Sequence, residues 1–395
     1  MALFSGITEA PRDPILGLTE AFNADPKQEK VNLAVGVYYD DNGTIPLLNC
    51  VRAAEAGLAK QPNARGYLPI DGMKAYDDAV KALVFGDQAD PSRIATAQTL
   101  GGTGALRVGA DFLRQTYPDA KVLISDPSWA NHRAVFSSAG FEVETYAYYD
   151  AEKRGVRFDD MLTSLRAAPA QTVVVLHACC HNPTGYDLTD EQWDQVVGVV
   201  KDNGLVAFLD MAYQGFGDGI AEDGAVIAKF AAAGLDFLAA TSFSKNFSLY
   251  GERVGGLSAY CADADEAKRV MSQLKVLIRS NYSNPPTHGA AVVSTVLADP
   301  ELRKVWEAEL GGMRERIRTV RTQLVDGLKA AGVTSDVSYI TTQRGMFSYS
   351  GLSKDQMLRL RDEFGVYGTE SGRICVAAIN AGNIDHVIKA IAAVL

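Results

Sequence analysis

The residues best suited to chemistry fall at the ends of apolar runs. Ser242-Phe243-Ser244-Lys245-Asn246 follows the run Asp236–Ala240, with Arg253 eight residues beyond the lysine. Most lysines are solvated surface charges. One at the end of a buried strand can instead lose its proton readily and act as an amine nucleophile. The two serines and Arg253 suit a phosphate. Asp210, in Leu209-Asp210-Met211-Ala212-Tyr213, also ends an apolar run. A carboxylate there is costly unless it is paired. A helix cap or a buried ion pair would account for it structurally, and a carboxylate facing a cationic ring nitrogen would do so functionally.

Two further segments carry polar groups. Gly101-Gly102-Thr103-Gly104 lies between a strand-like run and a helical one. Glycines admit close backbone approach, and a helix start offers free N–H groups to an anion. A tight strand-to-helix turn explains the same residues. The dinucleotide fingerprint is not met, because Arg107 occupies the place of its third small residue. His177-Ala178-Cys179-Cys180-His181-Asn182-Pro183-Thr184-Gly185 invites a zinc reading. Alternate side chains of a strand face opposite ways, however, and no second Cys or His cluster completes a site. No metal is expected. Asn182 sits in the loop at the strand's end, where α/β ligands tend to bind.

The elements that must position these groups read as short apolar strands alternating with helices. Strands are expected over Val31–Val37, Thr96–Leu100, Lys121–Ser125, Thr172–Ala178, Leu205–Leu209 and Asp236–Phe243. Helices are expected over Ala105–Tyr117 and over Thr189–Lys201, the latter opened by the capping pair Thr189 and Gln192. This alternation predicts an α/β fold with a mostly parallel sheet. From Pro300 to Ala331 runs a long amphipathic stretch containing Gly311-Gly312, read as a bend between domains. A strand-like Ser338–Ser348, a helix Ser353–Phe364, a strand-like Arg373–Ala377 and a final helix predict a smaller α+β unit.

The 395 residues are 47% hydrophobic and 22% charged, enough apolar material for a large core in two or three domains. A net charge of −10 leaves no basic field for nucleic acid or anionic membrane. An anionic ligand must therefore be held by a few local Arg or Lys residues. No signal peptide or membrane-length apolar run is visible, and five unpatterned cysteines fit thiols in a reducing compartment. A cytoplasmic location is the expectation.

Asn182-Pro183-Thr184-Gly185, Asp210 with Tyr213, Ser242-Phe243-Ser244-Lys245 with Arg253, and Ser371-Gly372-Arg373 together resemble the class I aminotransferases. More narrowly, the chain is similar to bacterial aspartate and aromatic-amino-acid (tyrosine) aminotransferases, from Asp13-Pro14-Ile15-Leu16 to the C-terminus. The resemblance implies a pyridoxal 5'-phosphate enzyme of fold type I. Its large domain would hold a mostly parallel seven-stranded sheet flanked by helices, beside a smaller α+β domain. Residues 1–45 would form an N-terminal segment of the small domain, 46–311 the large domain and 312–395 the small C-terminal domain. It also implies a homodimer with sites shared across the interface.

By the same resemblance Lys245 is the Schiff-base lysine and proton shuttle, and Asp210 the partner of the pyridine nitrogen. Tyr213 and Asn182 bond the cofactor's phenolic oxygen. Trp129 stacks on its ring, and His132 supports the aspartate. Gly102, Thr103, Ser242, Ser244 and Arg253 form the phosphate cup, and Tyr67 reaches the neighbouring subunit's phosphate. Arg373 clamps the substrate's α-carboxylate, with Gly36, Trp129 and Asn182 around it. Arg279 crosses from the other subunit to the distal group of a dicarboxylate.

The implied activity is ping-pong transamination between an L-amino acid and 2-oxoglutarate. Arg279 favours aspartate and glutamate. Tyr39 and Ile45 stand where aspartate-type members tend to have lysine and threonine, and so favour tyrosine and phenylalanine. Thr103 and Asn284 follow the aspartate pattern, and Gly66 follows neither. An aspartate-preferring enzyme, or another reaction on this cofactor such as β-elimination, is the alternative. A nicotinamide oxidoreductase and a non-catalytic binding protein are the more distant ones.

Overall fold

The structure is a computed structural model describing all residues except 1, 12, 14, 61–63, 65, 87 and 88. Pro14 of the Asp13–Leu16 motif thus lies outside the described residues. A seven-stranded sheet forms the centre. Its strands are β1 (Ile94–Leu100), β2 (Lys121–Asp126), β3 (Glu142–Ala147), β4 (Val173–His177), β5 (Val206–Met211), β6 (Phe237–Ser242) and β7 (Val254–Tyr260). The order across the sheet is β1-β7-β6-β5-β4-β2-β3. Only β7 runs antiparallel to its neighbours.

The apolar runs are continuous because both faces are covered. Along β4, Val174 and Leu176 enter one core while Val173 and Val175 enter the other, and in β5 Leu209 and Phe208 divide likewise. Helix Gly101–Thr116 covers the second face through Leu106 and Leu113. Two strands of this sheet have no counterpart among the sequence expectations. β3 is a polar edge strand whose Glu142 and Glu144 pair with Lys121. β7 carries Gly255 and Gly256, a weak strand signal. A Cβ at Gly255 would overlap the Gly101 backbone, so glycine allows β7 to pass close beneath the start of the neighbouring helix.

Several other expectations are corrected. The helix after β1 begins at Gly101, so the glycines form its first turn rather than a preceding loop. Gly101 has φ +68°, and a Cβ there would sit 2.7 Å from the Arg253 guanidinium. Close packing here outweighs the low helix propensity of glycine. Val31–Asn32 alone is strand, pairing in parallel with Val366–Tyr367 and joining the N-terminal segment to the C-terminal region. Ser338–Ser348 resolves into a 3-10 turn, Ser338–Thr341, and a short strand, Phe347–Tyr349, paired with Arg373–Cys375. Pro300–Ala330 is one continuous helix through Gly311-Gly312, capped by the Asp299 side chain. Its buried face, Trp306, Leu310, Met313, Ile317, Val320, Leu324 and Leu328, recurs every three or four residues. The Thr189–Gln192 capping box is present. No described helix is long and apolar enough to cross a membrane.

Candidate active site

The register of the sheet brings the site together. His177 at the end of β4 lies opposite Asp210 in β5, and β6 ends beside them at Ser242. These carboxyl ends open on a cavity of about 430 Å3. Twelve residues singled out in the sequence line it: Gly36, Gly102, Thr103, Trp129, Asn182, Asp210, Tyr213, Ser242, Ser244, Lys245, Arg253 and Arg373. Chain segments more than three hundred residues apart thus meet at one opening, as ligand sites in α/β sheets do.

Asp210 is buried and its Oδ2 lies 2.9 Å from His132 Nε2; His132 Nδ1 in turn lies 2.9 Å from Ser128 Oγ. Burial alone would raise the Asp210 carboxyl. The His132 hydrogen bond, with the neighbouring His132 and Lys245, outweighs it and holds the carboxyl below its ordinary range. His177 is pushed down to about 3, first by burial and then by His132, so it is neutral beside the carboxylate.

Lys245 Nζ lies 4.6 Å from the centre of the Tyr213 ring. Burial pushes its amine down to about 8; Asp210 opposes the shift, and Arg253 and Arg373 add to it. Tyr213 is buried, which raises its phenol, and Asn182 Nδ2 donates to its oxygen at 3.4 Å. Arg373, 4% exposed, has Nη1 on Asn182 Oδ1 at 3.0 Å and Nη2 on the Ala34 carbonyl at 2.5 Å. Its Nε is buried without a partner among the described residues. Its guanidinium lies 4.2 Å from the centre of the Phe347 ring. The bonds before Pro127 and Pro183 are both cis.

The donor set fits pyridoxal phosphate. Helix Gly101–Thr116 has no side-chain cap, so its first N–H groups are free for an anion. A Cβ at Gly102 would sit 3.1 Å from Ser242 Cβ, so glycine keeps that approach narrow but open. Ser242, Ser244 and Arg253 line the same end, with Arg253 Nη1 3.4 Å from Ser244 Oγ. An anionic carboxylate at Asp210 suits a cationic ring nitrogen, and the Tyr213 and Asn182 donors suit a phenolic oxygen.

Other residues fall outside this cavity in the single chain. Tyr67 is 95% exposed, and Arg279 is exposed with its Nη1 on Ser283 Oγ. Neither lines the cavity, nor do Tyr39 and Ile45. Conversely, Tyr250 and Phe347 line it without having been singled out. Tyr250 Oη accepts from the Tyr38 amide at 2.9 Å, fixing the loop that carries Gly36. Its place between Lys245 and Arg253 was the available signal; Phe347 had none. The Cys179 and Cys180 thiols do approach the Asp223 carboxylate. That carboxylate is already occupied, however, by the amides of Gly215, Gly217 and Asp218.

A sequence model of aminotransferase classes I and II matches residues 28–391. The chain belongs to the class I and II aminotransferases. It is a transaminase that works with pyridoxal phosphate. The aspartate aminotransferase of Pseudomonas aeruginosa is 57% identical over the whole of both chains. The aromatic-amino-acid aminotransferase of Escherichia coli is 51% identical, again over the whole of both. Among solved structures, the aromatic-amino-acid aminotransferase of Burkholderia pseudomallei, covalently bound to pyridoxal phosphate, is similar with a TM-score of 0.97. It is 61% identical and matched over 100% of each chain.

The lowered lysine makes a measurable prediction for the aminotransferase. Capture of pyridoxal phosphate requires the neutral amine, so in cofactor-free protein the rate should rise with pH and level off above about 8. An exposed lysine would continue rising towards roughly 10.4. Stopped-flow absorbance against pH reads the midpoint, and a rate still climbing steeply at pH 9 to 10 would contradict the burial.

Proposed function

We propose that the chain catalyses reversible transamination of both aromatic and dicarboxylic amino acids, with 2-oxoglutarate as acceptor. The observation that carries the reaction is the single cavity shared by Lys245, Asp210, Arg373 and the anion-binding end. Bound there, the cofactor supplies an electron sink for negative charge developing at the substrate's Cα. Arg373 holds the α-carboxylate through its guanidinium fork. Asp210, kept ionised and oriented by His132, holds a proton on the ring nitrogen. Lys245 is the base that takes the proton from the substrate Cα, tethered so that transfer is effectively unimolecular. Tyr213 and Asn182, hydrogen-bonded to each other, would orient the ring from the side of its phenolic oxygen, and Trp129 closes one side of the cavity.

The specificity rests on residues of two kinds. Relatives bearing aspartate names and relatives bearing aromatic-amino-acid names both match over full length. Arg279 supplies a cation for a distal carboxylate, whereas Tyr39 and Ile45 make the surroundings more apolar. The exposure of Tyr67 and Arg279 in one chain supports a homodimer in which each reaches the neighbouring subunit's site. A cytoplasmic location fits the five buried free thiols.

A visible absorbance spectrum tests the reaction. Tyrosine and aspartate, added separately, should each remove the yellow band, and 2-oxoglutarate should restore it. Absence of a response to tyrosine and phenylalanine would remove the aromatic half of the proposal.

Arg279→Ala is expected to lower kcat/KM for aspartate about a hundredfold, while tyrosine changes far less. Mixed dimers locate the arginine: Arg279→Ala chains combined with Lys245→Ala chains should regain aspartate activity, because one site per dimer is then intact. No recovery would place Arg279 in its own subunit's site.

A further inference from the structure

Arg321 is almost completely buried, yet its partners are neutral. It projects from the helix Pro300–Ala330 and is 2% exposed. Nη1 donates to the Ile340 carbonyl at 2.9 Å and lies 3.5 Å from Gln343 Oε1. Nη2 donates to the carbonyls of Gly345 at 2.9 Å and Phe347 at 2.5 Å. Burial pushes the guanidinium down to about 10, and the ionisable groups acting on it are two thiols and a phenol rather than a carboxylate. A guanidinium enclosed without a counter-charge is costly. An apolar contact would fasten a loop to a helix at less cost, so the fork must hold something that apolar contact does not: the direction of several carbonyls at once.

The segment it holds bears on the site. Gly345 has φ +75°, and a Cβ there would lie 2.6 Å from the Cys180 side chain, so the turn is pressed against the strand end leading to Asn182. The Arg344 amide donates to the Gly185 carbonyl at 2.7 Å, tying the turn to the same loop. Phe347 follows with its carbonyl on Arg321 and its ring under Arg373. That ring is also edge-on to Tyr213, at 5.9 Å between centres. A Cβ at Gly36 would stand 2.6 Å from it, so the ring fills its space without play. Arg373 has a hydrogen bond at each Nη but none at Nε. The ring face therefore acts with those two hydrogen bonds to restrain the plane of its fork.

We infer that Arg321 is a positioning residue for recognition of the substrate's α-carboxylate, acting through Phe347 on the plane of Arg373. The inference rests on the proposed role of Arg373 as the carboxylate clamp. A bidentate fork loses much of its advantage when its plane turns, whichever side chain the substrate carries. Monocarboxylic and dicarboxylic substrates must therefore respond alike, unlike the response to Arg279.

Steady-state kinetics of the holoenzyme with tyrosine and with aspartate test this, using R321K, R321M, F347L, R373K and the double variant R321M/R373K. R321M and F347L should each raise KM about tenfold or more for both substrates. kcat should change far less, and the resting visible spectrum should be unaltered. R321K should recover part of the loss, since an ammonium reaches fewer carbonyls. The double variant should be no worse than R373K, because the first change acts only through the second residue. Unchanged KM in R321K and F347L, a loss confined to kcat, or multiplying losses in the double variant would overturn the inference. If R321M does not fold, R321K and F347L carry the test. If R373K itself leaves KM unchanged, the clamp reading fails first. A raised KM in R373K with normal Arg321 variants would leave the clamp standing and remove Arg321 alone.

Discussion

Lys245→Ala is expected to abolish turnover, with kcat falling at least about 10^5-fold. The amine enters the cavity from the turn after β6, above Tyr213 and near Asp210. Among the described residues no other lysine lines the cavity, so no second amine stands ready there to replace it. The size of the effect follows from tethering: a base held beside the reacting carbon acts at an effective concentration no solute reaches. Helix Gly101–Thr116, Ser242, Ser244 and Arg253 are untouched by the change, so cofactor should still bind, though without the covalent link. Rapid-mixing absorbance with tyrosine and aspartate would measure the residual half-reaction. A variant within about a hundredfold of the parent would show that another group moves the proton.

Asp210→Asn should be the next most damaging change, lowering kcat by at least about 10^3-fold at nearly constant KM. Asparagine keeps the shape and can still accept from His132, so packing is nearly preserved and the charge alone is removed. That charge is secure, because the His132 hydrogen bond and the neighbouring Lys245 overcome the effect of burial. As pH falls, the folded carboxyl takes a proton later than it would in the unfolded chain. The stabilisation it contributes is therefore present above the ordinary carboxylate range and lost only as pH drops through its lowered value. Activity retained within tenfold in Asp210→Asn would mean that the ring-facing charge is not what this residue contributes.

Much of this could be read from residue order alone. Runs such as Val173–His177 and Val206–Met211 are apolar on both faces because helices cover both, and that pattern is local. A polar group ending such a run marks the ligand end of the sheet, which is why Asp210, Lys245 and Asn182 stood out. The capping box at Thr189 is also local and lies where expected, and the helix expected from Ser353 opens with a second one.

Features that depend on contact between distant segments were not legible. β3 carries an edge strand's polar pattern, and β7 owes its glycines to the backbone of Gly101 rather than to its own strand propensity. Gly311-Gly312 reads as a break, yet the helix continues, because its buried stripe from Trp306 to Leu328 packs along its whole length. Phe347 reaches the cavity only through chain crossings that no spacing encodes.

What the sequence by itself determined is the strand–helix alternation and the family, with the candidates for the reactive groups, since these reside in short contiguous patterns. Only the tertiary structure decided how Gly36, Asn182, Lys245, Phe347 and Arg373 meet, and that Arg321 is enclosed among carbonyls instead of being solvated. The reason is physical: a side chain's charge state and orientation are set by what surrounds it, and most of those surroundings are supplied by distant parts of the chain.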